Sequence, residues 1–217
     1  MNNLFIFGDS FSVDWSTGIK RDTKRKNYYF KYKEYLGRLP IHFSQIIKEE
    51  LGFSNVFNFA IGGASNDSIL QTIGNNIDKI NKDDYVLVGW SDLLRYRILH
   101  RDHNDWIHIL PHSKTKLKDG YFKKYSIEEL VHRDIKYKSL IYNHISIKNI
   151  LKKAIPCPVL FWTPFKQKHK QLDLFPGTLS KIKDETNNQV DDSHYGEEGM
   201  KELAKILIRE IKNNNLI

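Results

Sequence analysis

Apolar residues in this chain come in short runs that stop abruptly at small or polar residues. Leu4-Phe5-Ile6-Phe7 ends at Gly8-Asp9-Ser10, and Val56 to Ala60 leads into Ile61-Gly62-Gly63. Tyr85 to Gly89 ends at Trp90-Ser91-Asp92, and Val159 to Trp162 ends at Thr163-Pro164. Runs of this length bounded by turn chemistry predict buried strands. Between them the period becomes helical. Phe43, Ile46, Ile47 and Leu51 form one stripe, opened by Pro40 and closed by Gly52. Ile69, Leu70, Ile73, Ile77 and Ile80 form a second. Ser126-Ile127-Glu128-Glu129 has the form of a capping box, heading a helix that runs to about Lys153 with a break expected near Lys138. Leu203, Ile206, Leu207 and Ile211 mark a closing helix. Strands alternating with helices predict an α/β fold, a three-layer α/β/α sandwich around a parallel sheet of about five strands. The fifth strand is the least visible. Right-handed crossovers place the first three strand-end turns on one edge of the sheet.

Two stretches break the pattern and read as insertions in a single domain covering 1–217. The first, at about 13–38, interleaves basic clusters with Tyr28, Tyr29, Phe30, Tyr32 and Tyr35 and has poor periodicity, so it reads as a long surface excursion. The second, at about 95–125, crowds together Arg95, Arg97, His100, Arg101, His103, Trp106, His108 and His112. It reads as a lid or specificity insertion. Its histidines match no metal-ligand spacing, so no metal is assigned.

Length and composition add limits. The 217 residues, 40% of them hydrophobic, can bury one sizeable core without a metal or disulfide. The single cysteine, Cys157, reads as a buried residue beside a strand. The formal net charge of +8 favours anionic partners, although no nucleic-acid motif is present. No signal peptide and no membrane-spanning run is visible, so the expectation is a cytoplasmic or otherwise soluble protein.

Candidate chemistry gathers at the strand ends. Ser10 follows a buried strand and can be a nucleophile if a base reaches it, or merely part of an ordinary turn or helix cap. Gly62-Gly63, near a helix start, exposes backbone N–H groups that suit an oxyanion, or is a plain strand-to-helix turn. Asp191 lies three residues before His194, just ahead of the closing helix. Asp9 reads as bracing its turn. His144 and His169 have no aspartate at matching spacing.

Together these pieces resemble the SGNH hydrolase superfamily, the GDSL-like esterases. Gly8-Asp9-Ser10 is similar to its first block, Asn58 to Gly63 to its second, and Asp191-Asp192-Ser193-His194 to its fifth. The third block, Gly-x-Asn-Asp in the family, reads Gly89-Trp90-Ser91-Asp92 here, with Ser91 in the asparagine slot. The resemblance implies a triad of Ser10, His194 and Asp191, with no cofactor. It also implies an oxyanion hole from the backbone of Ser10 and Gly63, with the Ser91 hydroxyl as third donor. Trp90 and Arg95 are candidate substrate contacts. The expected activity is a serine esterase removing an acyl or acetyl group from a small molecule or glycan, with an anionic substrate suggested by the charge. Two alternatives stay open: an O-acyltransferase acting on a glycan with the same triad, and a non-catalytic glycan-binding module. Oligomeric state is not legible.

Overall fold

The apolar runs are strands because their side chains alternate between two helical layers. A computed structural model describes residues 2–14, 23–93, 95–100, 105–109, 134–164 and 194–214, with only the backbone described for 23–29, 96–100, 105–109 and 134–141. The strands are β1 (Asn3–Gly8), β2 (Asn55–Asn58), β3 (Tyr85–Gly89), β4 (Tyr96–His100), β5 (Asp105–Ile109) and β6 (Val159–Trp162). The helices are α1 (Thr23–Leu36), α2 (Phe43–Leu51), α3 (Asn66–Gly74), α4 (Asp134–Ala154) and α5 (Glu197–Asn213).

Four strands form one parallel sheet in the order β2-β1-β3-β6. This is the α/β sandwich expected, with four strands rather than about five among the described residues. Leu4, Ile6, Tyr85, Leu87, Leu160 and Trp162 pack against Phe43 and Ile47 of α2 and Leu203, Leu207 and Ile211 of α5. Phe5, Phe7, Val86, Val88 and Phe161 pack against Ile69 and Ile73 of α3 and Leu151 of α4. A parallel sheet covered on both faces needs near-continuous apolar strands, which is the pattern these runs carry. The Asp84 carboxylate ties the strand starts together, accepting from the Asn3 backbone N–H at 2.9 Å and the Asn81 N–H at 2.8 Å.

The chain passes from β1 to β2 on one side, then crosses to β3 on the other side of β1. The strand order therefore reverses between β1 and β3, and in open α/β sheets ligands bind outside the carboxyl ends at such a point. Gly8 and Gly89 are register partners there, and Gly89 also pairs with Trp162. A Cβ on either glycine would overlap Ser12 Oγ, and one on Gly89 would stand 2.9 Å from the Trp162 ring.

Several expectations are corrected. The 13–38 stretch contains helix α1, closed by Gly37 at φ 72°. Lys, Arg, Glu and Leu favour a helix without an amphipathic stripe, which periodicity cannot detect. In α1 Tyr32 is buried while Phe30 and Tyr35 are exposed. The 95–125 stretch contains an antiparallel pair, β4 with β5, in register Tyr96↔Ile109 to His100↔Asp105. The intervening Arg101-Asp102-His103-Asn104 lacks the Asn-Gly or Asp-Gly signature of a tight hairpin. Helix α2 begins at Phe43 rather than Pro40, because His42 caps it; Gly52 closes it at φ 72°, as expected. Helix α3 stops at Gly74, and Ile77–Lys79 forms a 3-10 turn. The expected start of the long helix, at 126–133, lies outside the described residues.

Cys157 is buried, and burial pushes its thiol up to about 12, which keeps it protonated. No helix among the described residues is long and apolar enough to cross a membrane.

Leu207 is fully buried where α5 meets the sheet. Leu207→Ala is expected to lower the unfolding free energy by about 3 kcal/mol in urea titration, through lost transfer energy plus a cavity. A loss below about 1 kcal/mol would mean that α5 is not part of the cooperative core.

Candidate active site

The turn after β1 is built by its own aspartate. Ser12 N–H donates to Asp9 O at 3.0 Å, closing a four-residue turn with Ser10 and Phe11 at its corners. Phe11 N–H donates to Asp9 Oδ1 at 3.1 Å. This is a side-chain bond of the kind aspartate commonly makes two residues on. Asp9 is fully buried, whereas Ser10 is half-buried at the turn.

The turn after β2 is held against it. Phe59 N–H donates to Ile6 O at 2.8 Å and Ile61 N–H to Gly8 O at 2.9 Å, so β2 goes on tracking β1 past its formal end. Asn58 Nδ2 donates to Ser12 O at 2.8 Å, and its Oδ1 accepts from Ala60 N–H at 2.9 Å. The Asn58 amide thus joins the β2 turn to the β1 turn. Ala64 N–H donates to Ile61 O at 3.1 Å, leaving Gly63 at the third position with φ 78°. That conformation is the reason a glycine stands there.

The turn after β3 is wired to both. The Asn66 amide, at the start of α3, clasps the Ser91 backbone: Oδ1 accepts from Ser91 N–H at 2.8 Å and Nδ2 donates to Ser91 O at 3.2 Å. Arg95 Nη1 donates to Asp9 Oδ2 at 3.2 Å and to Ala64 O at 3.3 Å. Burial raises the Asp9 carboxyl above its usual range, against the opposing pull of Arg95, the Phe11 N–H, the Ser91 hydroxyl and His194. The Ser91 hydroxyl acts on that carboxylate, yet among the described residues no well-aligned hydrogen bond joins it to a partner.

His194 arrives from the far end of the chain. Its ring lies 4.7 Å from the Phe11 ring, and Tyr195 meets Phe11 edge-on at 5.7 Å. The residue after Ser10 therefore carries both aromatic groups that precede α5. Three residues past His194, Glu197 is buried in the first turn of α5, where a carboxylate is favoured by the helix dipole. Arg38 Nη2 donates to Glu197 Oε1 at 2.8 Å, and Lys201 Nζ donates to the same oxygen at 2.8 Å. Arg38 Nη1 lies 2.7 Å from Oε2, close enough for an ion pair but without hydrogen-bond alignment. The Arg38 hydrogen bond, first among several causes, holds the Glu197 carboxyl below its usual range.

Of the residues singled out in the sequence, Ser10, Gly63, Ser91 and Arg95 all stand on the three strand-end turns, and His194 packs on the first of these. Asp191 lies outside the described residues. Trp90 is enclosed at 1% exposure, stacked on Phe161 and edge-on to His144 at 4.6 Å. It continues the alternation of Val86 and Val88 into one helical layer, so its ring offers no face to a substrate. Ser91 is also fully buried. Asn58, which opens the second-block match, carries structural work here through its amide, and so do Asn66 and Ser12, to which no motif assigned any. Asn58 ends β2, Asn66 opens α3 and Ser12 lies just past β1, so a polar residue at or near an element boundary was the available signal. Among the described residues, no three His, Cys, Asp or Glu side chains converge on a common metal position.

No protein-family model matches the sequence, and no curated protein matches it. Among solved structures, the fold is similar to that of a lipase/acylhydrolase from Enterococcus faecalis, at 12% identity and a TM-score of 0.47 over 99% of this chain and 97% of that one. The fold assignment rests on the strand order, register and two-sided helical cover described above.

Two further histidines, His42 and His144, are buried. His42 Nδ1 accepts from Ser44 N–H at 3.3 Å and lies 2.7 Å from the Ser44 hydroxyl, so Nδ1 carries no proton. Burial lowers His42 from 6.5 to about 4, with Asp14 opposing, and burial then Lys148 lower His144 from 6.5 to about 4. Both rings are therefore neutral in the folded state when the unfolded chain would be charged. The stability they contribute is present above pH 6.5 and is lost as pH falls through about 4. Ring-proton NMR titration is expected to show both histidines neutral at pH 5.5, a midpoint near 6.5 being the contrary result.

Proposed function

We propose that the chain is a serine esterase of the SGNH hydrolase type, acting through an acyl-enzyme on an acyl ester of a carbohydrate. One observation carries the reading: Ser10 stands on the turn closing β1 at the point of strand-order reversal, and the His194 ring packs 4.7 Å from its neighbour Phe11. Two chain ends 184 residues apart, from 10 to 194, thus bring a hydroxyl and an imidazole to one sheet edge.

In this reading Ser10 Oγ attacks the ester carbonyl and His194 takes its proton. The tetrahedral intermediate collapses, the C–O bond to the alcohol breaks, and His194 returns the proton to the leaving oxygen. Water then repeats the sequence on the acyl-enzyme, releasing the acid and restoring Ser10. Asp191, three residues before His194, would hold the imidazole tautomer. The Ser10 and Gly63 backbone N–H groups would receive the oxyanion, with the positive φ of Gly63 setting the direction of its peptide. Ser91 is a poor third donor in this scheme, since its side chain is buried beside Asp9. Loss of one such donor costs about 3 kcal/mol of barrier, so slow turnover is part of the proposal. The formal charge of +8 suits an anionic glycan. Transfer to a sugar hydroxyl in place of water would use the same residues.

The buried Ser91 also favours a second reading, a glycan-binding module without turnover. Hydrolysis of p-nitrophenyl acetate separates the two. Wild type is expected to turn over, and Ser10→Ala to lose at least about a thousandfold in kcat. A fluorophosphonate is expected to label wild type at Ser10 and leave Ser10→Ala unlabelled. Equal rates for the two proteins, with no label on wild type, would leave the binding module as the better description.

A further inference from the structure

We propose that Arg95 is a positioning residue for the oxyanion hole, a strut that fixes the spacing between the Ser10 turn and the Gly63 turn. The proposal rests on the esterase reading above and concerns how this chain works with serine in place of the third-block asparagine.

The geometry is specific. Nη1 bonds at once to Asp9 Oδ2, one residue before Ser10, and to Ala64 O, one residue after Gly63. Arg95 itself is anchored by its own backbone, whose N–H donates to Asp92 O at 3.0 Å. One guanidinium nitrogen therefore links turns from three different strands, and each link lies next to a group that would hold the oxyanion. The Asn66 clasp on Ser91 and the Asn58 bond to Ser12 O complete a closed circuit around the three turns.

Stability does not account for this arrangement. The Arg95 side chain is 10% exposed and the Asp9 side chain 0%. Arg95 Nε is buried with no partner among the described residues. A buried donor left unsatisfied is destabilising, and apolar replacements for buried ion pairs are often neutral or stabilising. A Met or Leu pair could fill the space. What such a pair could not do is hold a carboxylate beside Ser10 and a carbonyl beside Gly63 at one fixed separation. The planar, permanently charged guanidinium does this, and an ammonium on a flexible stem does it less well. Misplacing reacting groups by about 1 Å can cost a hundredfold in rate. Holding two turns from separate strands in place is thus worth a costly buried charge.

The test compares wild type, Arg95→Met, Arg95→Lys and Asp9→Asn, each first checked for folding by circular dichroism and thermal melting. Amide hydrogen exchange comes first because it needs no turnover. In Arg95→Met, exchange at residues 9–12 and 61–65 is expected to quicken by about tenfold or more, with α5 unchanged. On p-nitrophenyl acetate, kcat is expected to fall about a hundredfold with KM changed by less than about threefold. Arg95→Lys should recover part of kcat, and millimolar guanidine should restore part of the Arg95→Met rate. Unchanged exchange at both turns overturns the strut. So does an unchanged kcat, or a loss confined to KM, which would make Arg95 a substrate contact instead. Should Arg95→Met fail to fold, Arg95→Lys and Asp9→Asn give the same readings at smaller amplitude. Should wild type show no Ser10-dependent turnover, the esterase reading falls, and exchange alone upholds or overturns the strut.

Discussion

Gly8 and Gly89 lie side by side at the carboxyl edge of the sheet, and the site depends on that closeness. With no Cβ on either, Ser12 can fold back over both strand ends, and the β1 turn can close tightly above the sheet. A larger residue at either position would push the Ser12 side chain, and with it the turn that carries Ser10, away from its neighbours. Because β1 and β3 are parallel and adjacent, their two exits open side by side. The strand order reverses between them, and in open α/β sheets ligands bind outside the carboxyl ends at such a point.

What joins these strand ends is polar and buried, which a fold tolerates only where the groups satisfy one another. Asp9 meets Phe11 N–H and Arg95; Asn66 clasps Ser91; Asn58 bridges to Ser12 O. These are bonds from side chains to the backbone of turns. Turns lack ladder bonds of their own, so side chains provide the rigidity that strands obtain from pairing. The arrangement leaves Ser10 and Gly63 half-buried while Asp9, Phe11 and Ala64 beside them are buried.

The closing helix is attached differently. Its apolar face sits in one layer of the core, and its first turn is held by the Arg38–Glu197–Lys201 cluster. Arg38 lies two residues beyond α1 and is half exposed, so the segment that breaks the sequence pattern touches the helix that follows His194. On the other side, Phe11 supports His194 and Tyr195 directly. The histidine is thus placed by aromatic packing from the serine turn and by a charged clamp behind it.

The alternation of apolar runs and stripes was enough to give the layered α/β class, strands β3 and β6 to the residue, and the face of α5. Burial on both sides of a parallel sheet imposes a pattern too strong to miss. The Gly8-Asp9-Ser10 and Gly63 turns were legible because backbone geometry at those points demands particular residues. Helix α1 and the β4–β5 pair were not legible. The first forms through propensity rather than a stripe, and the second is joined without hairpin turn chemistry. Nor could sequence tell that Trp90 is core while Arg95 is a link. Both are large residues just past β3, and only the continued alternation of the strand sends one inward. Tertiary structure alone decided that Arg95 meets Asp9, 86 positions away, because that contact exists only once the sheet has brought three strand ends together.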